Sequence, residues 1–233
     1  MRAAVVIPAY NEAETVGDVV EAARRARHIT EVVTVDNAST DDTAAVAAGA
    51  GARVVPCFDT GKGQAMAAGV AATDAEVIVF LDADLVGLRP EHVDRLAAAV
   101  LEGRAGMACG LFDRGPVLNP VFLHRLPVLT GQRALSRCLF ERLDHTDQRG
   151  YKVEAALNTL CSELGVRVES FVCDGLWHRT KERKYPSAME GFVRKQGMLL
   201  TAMAVYAGYR LRRARRQRRE ARSRARRLWR RRR

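Results

Sequence analysis

Asp82-Ala83-Asp84 follows directly on the apolar run Val77-Ile78-Val79-Phe80-Leu81. A strand that ends in two closely spaced carboxylates sets hard oxygen ligands at the rim of a sheet, where a divalent cation can bridge them to the phosphates of a substrate. The chemistry implied is a metal-assisted reaction on a nucleotide-linked substrate. The pattern alone is weak, because 13 Asp in 233 residues supply about one Asp-x-Asp by chance. Carboxylates at such a place also cap turns, so the meaning of this pair depends on what surrounds it.

The hydrophobic pattern supplies the elements that must position these carboxylates. Residues 3–7 read as a strand, 14–27 as a helix with Val16, Val19, Val20 and Ala23 on one apolar face, and 31–35 as a second strand. Ser39, Thr40 and Asp41 are N-cap candidates for a helix over 44–50, and 52–55 reads as a third strand stopped by Pro56. Gly61-Lys62-Gly63 opens a helix over 64–72, the strand 77–81 follows, and a helix over 91–101 leads to a strand over 106–112. The second half predicts helices over 132–143 and 152–164, a strand over 166–172 and a final helix from Met189. Repeated βα units of this spacing predict an α/β fold with a mostly parallel sheet flanked by helices on both faces.

In open sheets of this kind ligands bind beyond the carboxyl ends of the strands. The polar loops of this chain collect there: Pro8-Ala9-Tyr10-Asn11-Glu12 after the first strand, Asp36-Asn37-Ala38-Ser39 after the second, Asp82-Ala83-Asp84 after the fourth. That convergence outweighs the lone Asp-x-Asp.

The net charge of +11 suggests nucleic acid until it is localised: residues 210–233 hold 15 Arg against one Glu, which leaves −3 for the preceding 209 residues. Cys57, Cys109, Cys138, Cys161 and Cys173 are scattered and form no C-x-x-C pair, which argues against a disulfide framework or a zinc site and favours a cytoplasmic setting. No signal peptide is read at the start, and the apolar stretch 198–209 falls short of the roughly 20 residues of a spanning helix. Apolar residues from Phe192 to Tyr209 beside the arginine run predict an amphipathic segment that lies on an anionic membrane surface. Packing on the domain with solvated arginines is the equal alternative. Nucleic acid is a weaker third reading, since Trp229 alone offers a base anything to stack on.

With these residues in place, the sequence resembles family 2 glycosyltransferases of the GT-A fold. The likeness is carried by Ile7-Pro8-Ala9-Tyr10-Asn11-Glu12, by Val35-Asp36-Asn37-Ala38-Ser39-Thr40-Asp41, by Gly61-Lys62-Gly63 with Ala67-Ala68-Gly69, and by Phe80-Leu81-Asp82-Ala83-Asp84-Leu85. Leu129-Thr130-Gly131-Gln132-Arg133-Ala134, Gly150-Tyr151-Lys152-Val153-Glu154 and His178 resemble the branch that contains glucosyl-3-phosphoglycerate synthases and polyprenyl-phosphate sugar transferases. The resemblance implies an NDP-sugar donor, UDP- or GDP-linked, held by Pro8, Ala9, Tyr10, Glu12 and Asp36, with Lys62 near its phosphates and Asp82 and Ala83 at the ribose or sugar. It implies Asp84 and His178 as ligands of Mg²⁺ or Mn²⁺, the imidazole suiting Mn²⁺ better. Asp82, Asp84 and Glu154 become the catalytic candidates, and Gly131, Gln132 and Arg133 the acceptor contacts.

The expected organisation is a nucleotide-sugar-binding half over 1–112, an acceptor-binding and metal-completing half over 113–188, and an amphipathic helix with its basic tail over 189–233. The acceptor is a small molecule or a lipid phosphate. Each assignment has a plain counterpart: Lys62 as a solvated loop lysine, His178 as a surface histidine, Glu154 as a favourable charge at a helix start. Asn37, where many relatives carry a second aspartate, weakens any role that needs that carboxylate. A nucleotidyltransferase, and a catalytically inactive adaptor that binds membrane or RNA through its tail, remain the competing readings. Sugar, acceptor, stereochemical outcome and oligomeric state stay open, a homodimer included.

Overall fold

A computed structural model describes residues 1–59, 61–116, 118–120, 130–143 and 152–179, with 208 and 211 alone beyond them. The chain divides into two units, Met1–Thr180 and Lys181–Arg233. The final helix and arginine run expected from Met189 onward lie outside the described residues, save Gly208 and Leu211. Among the described residues no helix is long and apolar enough to cross a membrane.

In the first unit the apolar runs become strands of one seven-stranded sheet: β1 (Ala3–Ala9), β2 (Ile29–Asp36), β3 (Arg53–Pro56), β4 (Val77–Phe80), β6 (Met107–Phe112), β7 (Arg133–Ser136) and β8 (Val168–Cys173). Two further short strands, β5 (Leu85–Val86) and β9 (Trp177–His178), pair with each other alone. The order across the large sheet is β3-β2-β1-β4-β7-β6-β8, parallel except where β7 meets β4 and β6. The chain first builds outward from β1 to β3 and then returns to the other side of β1 with β4. Beyond the carboxyl ends of β1 and β4 lies the switch point where open α/β sheets bind ligands.

The helices are α1 (Val16–Arg24), α2 (Thr43–Gly49), α3 (Lys62–Ala71), α4 (Pro90–Leu101), α5 (Arg137–Glu141) and α6 (Lys152–Leu164). Helix α1 buries Val16, Val19, Val20 and Ala23, the face read from its periodicity. Helix α4 starts with Pro90 at its first position, and its entry is closed by reciprocal contacts of Arg89 and His92. Helix α3 lies so close to the sheet that a β-carbon on Gly69 would stand 2.2 Å from Val6 Cγ1 and 3.0 Å from Val35 Cγ2. Glycine there sets the depth of α3 and so the height of Lys62 at its first turn.

Two local expectations fail for identifiable reasons. Residues 132–143 do not form one helix; 133–136 are strand β7, and only 137–141 are helical. A strand buried between two neighbours is apolar on both faces, so Ala134 and Leu135, each fully buried, carry no period that separates strand from helix. Pro8 does not end β1, which continues to Ala9. Pairing of β4 with β1 stops at Val6 opposite Phe80, so Pro8 stands where β1 has β2 as its one strand neighbour, and its missing N–H is tolerated there.

Candidate active site

The loops after β1 and β2 are stitched into one surface by side chains of both. Asn11 donates its backbone N–H to Ser39 Oγ at 3.1 Å and accepts from Thr40 N at 2.8 Å, while Glu12 N–H donates to Thr43 Oγ1 at 2.8 Å. Asn11 and Ala38 hold φ of +54° and +59°, conformations that L-residues rarely adopt outside over-determined sites. Pro8, Glu12 and Asp36 are half-buried around this surface, Ala9 is buried, and Tyr10 is exposed. Asp36 caps its own turn by accepting from Ser39 N at 3.3 Å.

Asn37 has a role that its sequence position did not reveal. Its side-chain amide accepts from Gly61 N–H at 3.2 Å and donates to Gly61 O at 3.2 Å and Asp59 O at 3.3 Å. A carboxylate could accept from Gly61 but would face the two carbonyl oxygens with no proton to offer. The asparagine therefore fixes the segment that leads into Lys62.

Lys62 Nζ lies 2.7 Å from Asp82 Oδ1 and 2.8 Å from Glu154 Oε1, and Gln132 Nε2 donates to Asp82 Oδ2 at 2.8 Å. Burial opposes charge on Lys62, yet the two carboxylates outweigh it and hold its ammonium well above the ordinary lysine range. Burial likewise opposes the Asp82 carboxylate, and the attraction of Lys62 prevails and keeps it below the usual carboxylate range. Asp82, Lys62 and Glu154 are thus one charged cluster drawn from the loop after β4, from α3 and from α6.

Asp84 Oδ1 is 3.1 Å from His178 Nδ1. His178 is delivered by β9, whose antiparallel register sets it opposite Leu85, and Arg179 N–H donates to Asp84 O at 2.9 Å. The Phe112 ring packs behind the imidazole at 4.0 Å between centroids. Arg179 also pairs with Glu14 at 2.8 Å, tying this end to the start of α1. Asp82, Asp84 and His178 each offer a ligand atom, all within 4.8 Å of one another. Two carboxylate oxygens and one imidazole nitrogen at this spacing suit a hard or borderline divalent cation such as Mg²⁺ or Mn²⁺.

The acceptor-side expectation divides. Gly131 lies against Asp82, where a β-carbon would stand 2.2 Å from Oδ2, and Gln132 is spent on holding Asp82. Arg133 does not face the site. It is fully buried in β7, and its guanidinium donates to Thr130 O at 3.1 Å and toward Glu154 O at 3.4 Å. The alternation of β7 turns it into the sheet, so it acts as a clamp between the 130–132 turn and the first turn of α6. Arg133→Ala strips the buried Thr130 carbonyl of its guanidinium donor and leaves a cavity, and is expected to cost about 3 kcal/mol of stability. Urea denaturation measures this; a midpoint unchanged from that of the unsubstituted chain would contradict the clamp.

A family model described as Glycosyl transferase family 2 matches residues 4–173. The chain belongs to that family. The match sets the nucleotidyltransferase reading aside. Among curated proteins, glucosyl-3-phosphoglycerate synthase of Mycolicibacterium smegmatis is 37% identical over 107 residues, 42% of this chain and 35% of that protein. Glycosyltransferase AglJ of Haloferax volcanii is 29% identical over 182 residues, 70% of this chain and 59% of that protein. The matched stretches span about a third of the length of the mycobacterial synthases. Among solved structures, glucosyl-3-phosphoglycerate synthase from Mycobacterium tuberculosis in complex with Mn²⁺, UDP-glucose and phosphoglyceric acid superposes with a TM-score of 0.69 at 26% identity, covering 88% of this chain and 80% of that one. The same protein in complex with Mg²⁺ and UDP gives 0.70 at 26% identity, over 89% and 79% of the two chains. The α/β, mostly parallel GT-A architecture read from the sequence is the one observed.

Proposed function

We propose that this chain transfers a sugar from a UDP-sugar to a hydroxyl of a phosphate-bearing acceptor, with Mg²⁺ or Mn²⁺ as cofactor. The observation that carries this reading is the Asp82, Asp84 and His178 triangle standing beside Lys62 at the switch point of the sheet. The likeness of the chain to a synthase solved with Mn²⁺, UDP-glucose and phosphoglyceric acid supports donor, metal and acceptor class together.

The stitched loops over 8–13 and 36–43 hold the nucleoside, with Asp36 at the ribose and Tyr10 open to the base. Asp84 and His178, with Asp82 beside them, would hold the cation, and Asp82 would also face the sugar. When bound, the cation supplies Lewis-acid stabilisation of the charge that develops on the departing diphosphate. Lys62 would add a second positive charge for the same diphosphate. Glu154 orients the acceptor hydroxyl and takes its proton. The turn at Gly131 and Gln132 forms the near wall of the acceptor space.

With UDP-glucose and Mn²⁺, 3-phosphoglycerate is expected to raise UDP release by about a hundredfold over the rate without acceptor, as a positioned second substrate and base require. Polyprenyl phosphate in the parallel assay decides between a soluble and a lipid-linked acceptor. If neither UDP- nor GDP-sugars turn over with either acceptor, the transferase reading fails and the adaptor reading takes its place. The arginine run over 210–233 belongs to the lipid-linked case, in which anionic liposomes retain the full chain and release one ending at Tyr209. Equal retention removes the membrane surface from the proposal.

A further inference from the structure

We propose that Lys62 is a built-in counter-cation that competes with the divalent ion for Asp82, so that the cation is held tightly only once a nucleoside diphosphate has drawn Lys62 away. The inference rests on the reading of this site as a donor and metal site, and concerns how its two ligands depend on each other.

Both oxygens of Asp82 are engaged, Oδ1 by Lys62 Nζ at 2.7 Å and Oδ2 by Gln132 Nε2 at 2.8 Å. The same carboxylate is one of the three groups whose ligand atoms lie within 4.8 Å of one another. A divalent ion placed among Asp82, Asp84 and His178 would therefore share a carboxylate with an ammonium in direct contact with it. Two positive centres at such separation repel strongly in a half-buried site, where the effective dielectric lies far below that of water. Lys62 is held there from two sides, by Asp82 and by Glu154, so it does not simply swing clear of an arriving cation.

The arrangement also shows how the competition ends. Lys62 is the first residue of α3, with a long flexible side chain that is 22% exposed. It keeps a second anchor in Glu154 Oε1 at 2.8 Å, so it can leave Asp82 without becoming unpaired. A diphosphate entering above the amino end of α3 offers oxygens that carry more charge than one carboxylate, at a helix terminus that already favours anions. Lys62 turns to those oxygens, Asp82 is released toward the cation, and each ligand strengthens the other. Linkage makes the effect reciprocal: the factor by which UDP tightens Mn²⁺ is the factor by which Mn²⁺ tightens UDP.

The test is Mn²⁺ binding followed by electron paramagnetic resonance, with no sugar donor and no turnover. Signal that survives Asp84→Asn is subtracted as binding elsewhere. In the absence of nucleotide, Lys62→Met is expected to bind Mn²⁺ about tenfold more tightly than the unsubstituted chain, and the enhancement by UDP to shrink by a similar factor. Since Lys62→Met takes from half-buried Glu154 its lysine partner, the pair Lys62→Met with Glu154→Gln is measured beside it; it removes one charge of each sign and should show the same gain. Glu154→Gln alone leaves Lys62 to Asp82 and should show no gain. Unchanged or weaker Mn²⁺ binding in both Lys62 variants overturns the proposal, whatever the transferase assay shows. A gain of equal size in Glu154→Gln overturns it too, by pointing to general loosening of the cluster. UDP that fails to affect Mn²⁺ binding in the unsubstituted chain overturns both the linkage and the donor reading beneath it.

Discussion

Asp84→Asn is expected to lower Mn²⁺-dependent sugar transfer by about a thousandfold in kcat/KM, the scale at which one charge-stabilising group is lost from an acyl or phosphoryl centre. The fold should not suffer. The Asp84 side chain is 30% exposed and meets His178 at 3.1 Å, a contact that the amide oxygen of asparagine can still make. Its backbone carbonyl, which receives Arg179 N–H and so anchors the start of the segment beyond β9, is untouched by the substitution. The unfolding free energy measured without metal should therefore stay within about 0.5 kcal/mol of the parent, as for a substitution away from buried networks. Asp82→Asn would not separate the two effects, because it also strips Lys62 of a partner inside a half-buried cluster. Transfer that keeps its rate and its metal dependence in Asp84→Asn would remove this residue from the metal site.

Gly131→Ala is expected to reduce transfer by about a hundredfold, although the change is a single methyl group. The added carbon would stand 2.2 Å from Asp82 Oδ2 and 2.3 Å from Oδ1, so one side must move. Asp82 is short, and its two oxygens are held by Lys62 and Gln132. The turn is held as well, by Gly110 N–H to Gln132 O at 2.9 Å and by Arg133 to Thr130 O. Displacing Asp82 by about 1 Å is enough for a loss of this size where a reacting group must be aligned. Circular dichroism and urea denaturation distinguish a shifted carboxylate from a lost fold. A variant that folds and retains full activity would show that the contact between the turn and Asp82 is dispensable.

The sequence was most legible where one physical rule acted alone. Apolar runs of four to seven residues bounded by turn residues gave β1, β2, β3, β4 and β6. The one-sided periodicity of Val16, Val19, Val20 and Ala23 gave α1. Polar loops at the carboxyl ends of parallel strands gave the edge at which the site lies. Legibility failed at β7, where burial on both faces erased the period, and at β5 and β9, which pair over two residues each and are too short to leave a pattern. Arg133 shows the same limit at a single residue. A charged side chain after a turn reads as exposed, and only the register of β7 buries it beneath the first turn of α6.

The sequence by itself determined the chemistry available to this protein. It supplied two carboxylates after an apolar strand, a lysine between glycines, a histidine and a glutamate, together with βα units that send the first of these to one edge. Only the tertiary structure decided which of these groups act on each other. Lys62, Asp82 and Glu154 lie up to 92 residues apart along the chain, and Asp84 and His178 lie 94 apart. No local propensity reports on contacts at such separation. They are fixed by the depth at which Gly69 lets α3 settle, by the antiparallel insertion of β7 and by the two-residue ladder of β5 and β9. Those long-range contacts hold Asp82 between Lys62 and Gln132 and bring a ligand atom of it within 4.8 Å of those of Asp84 and His178.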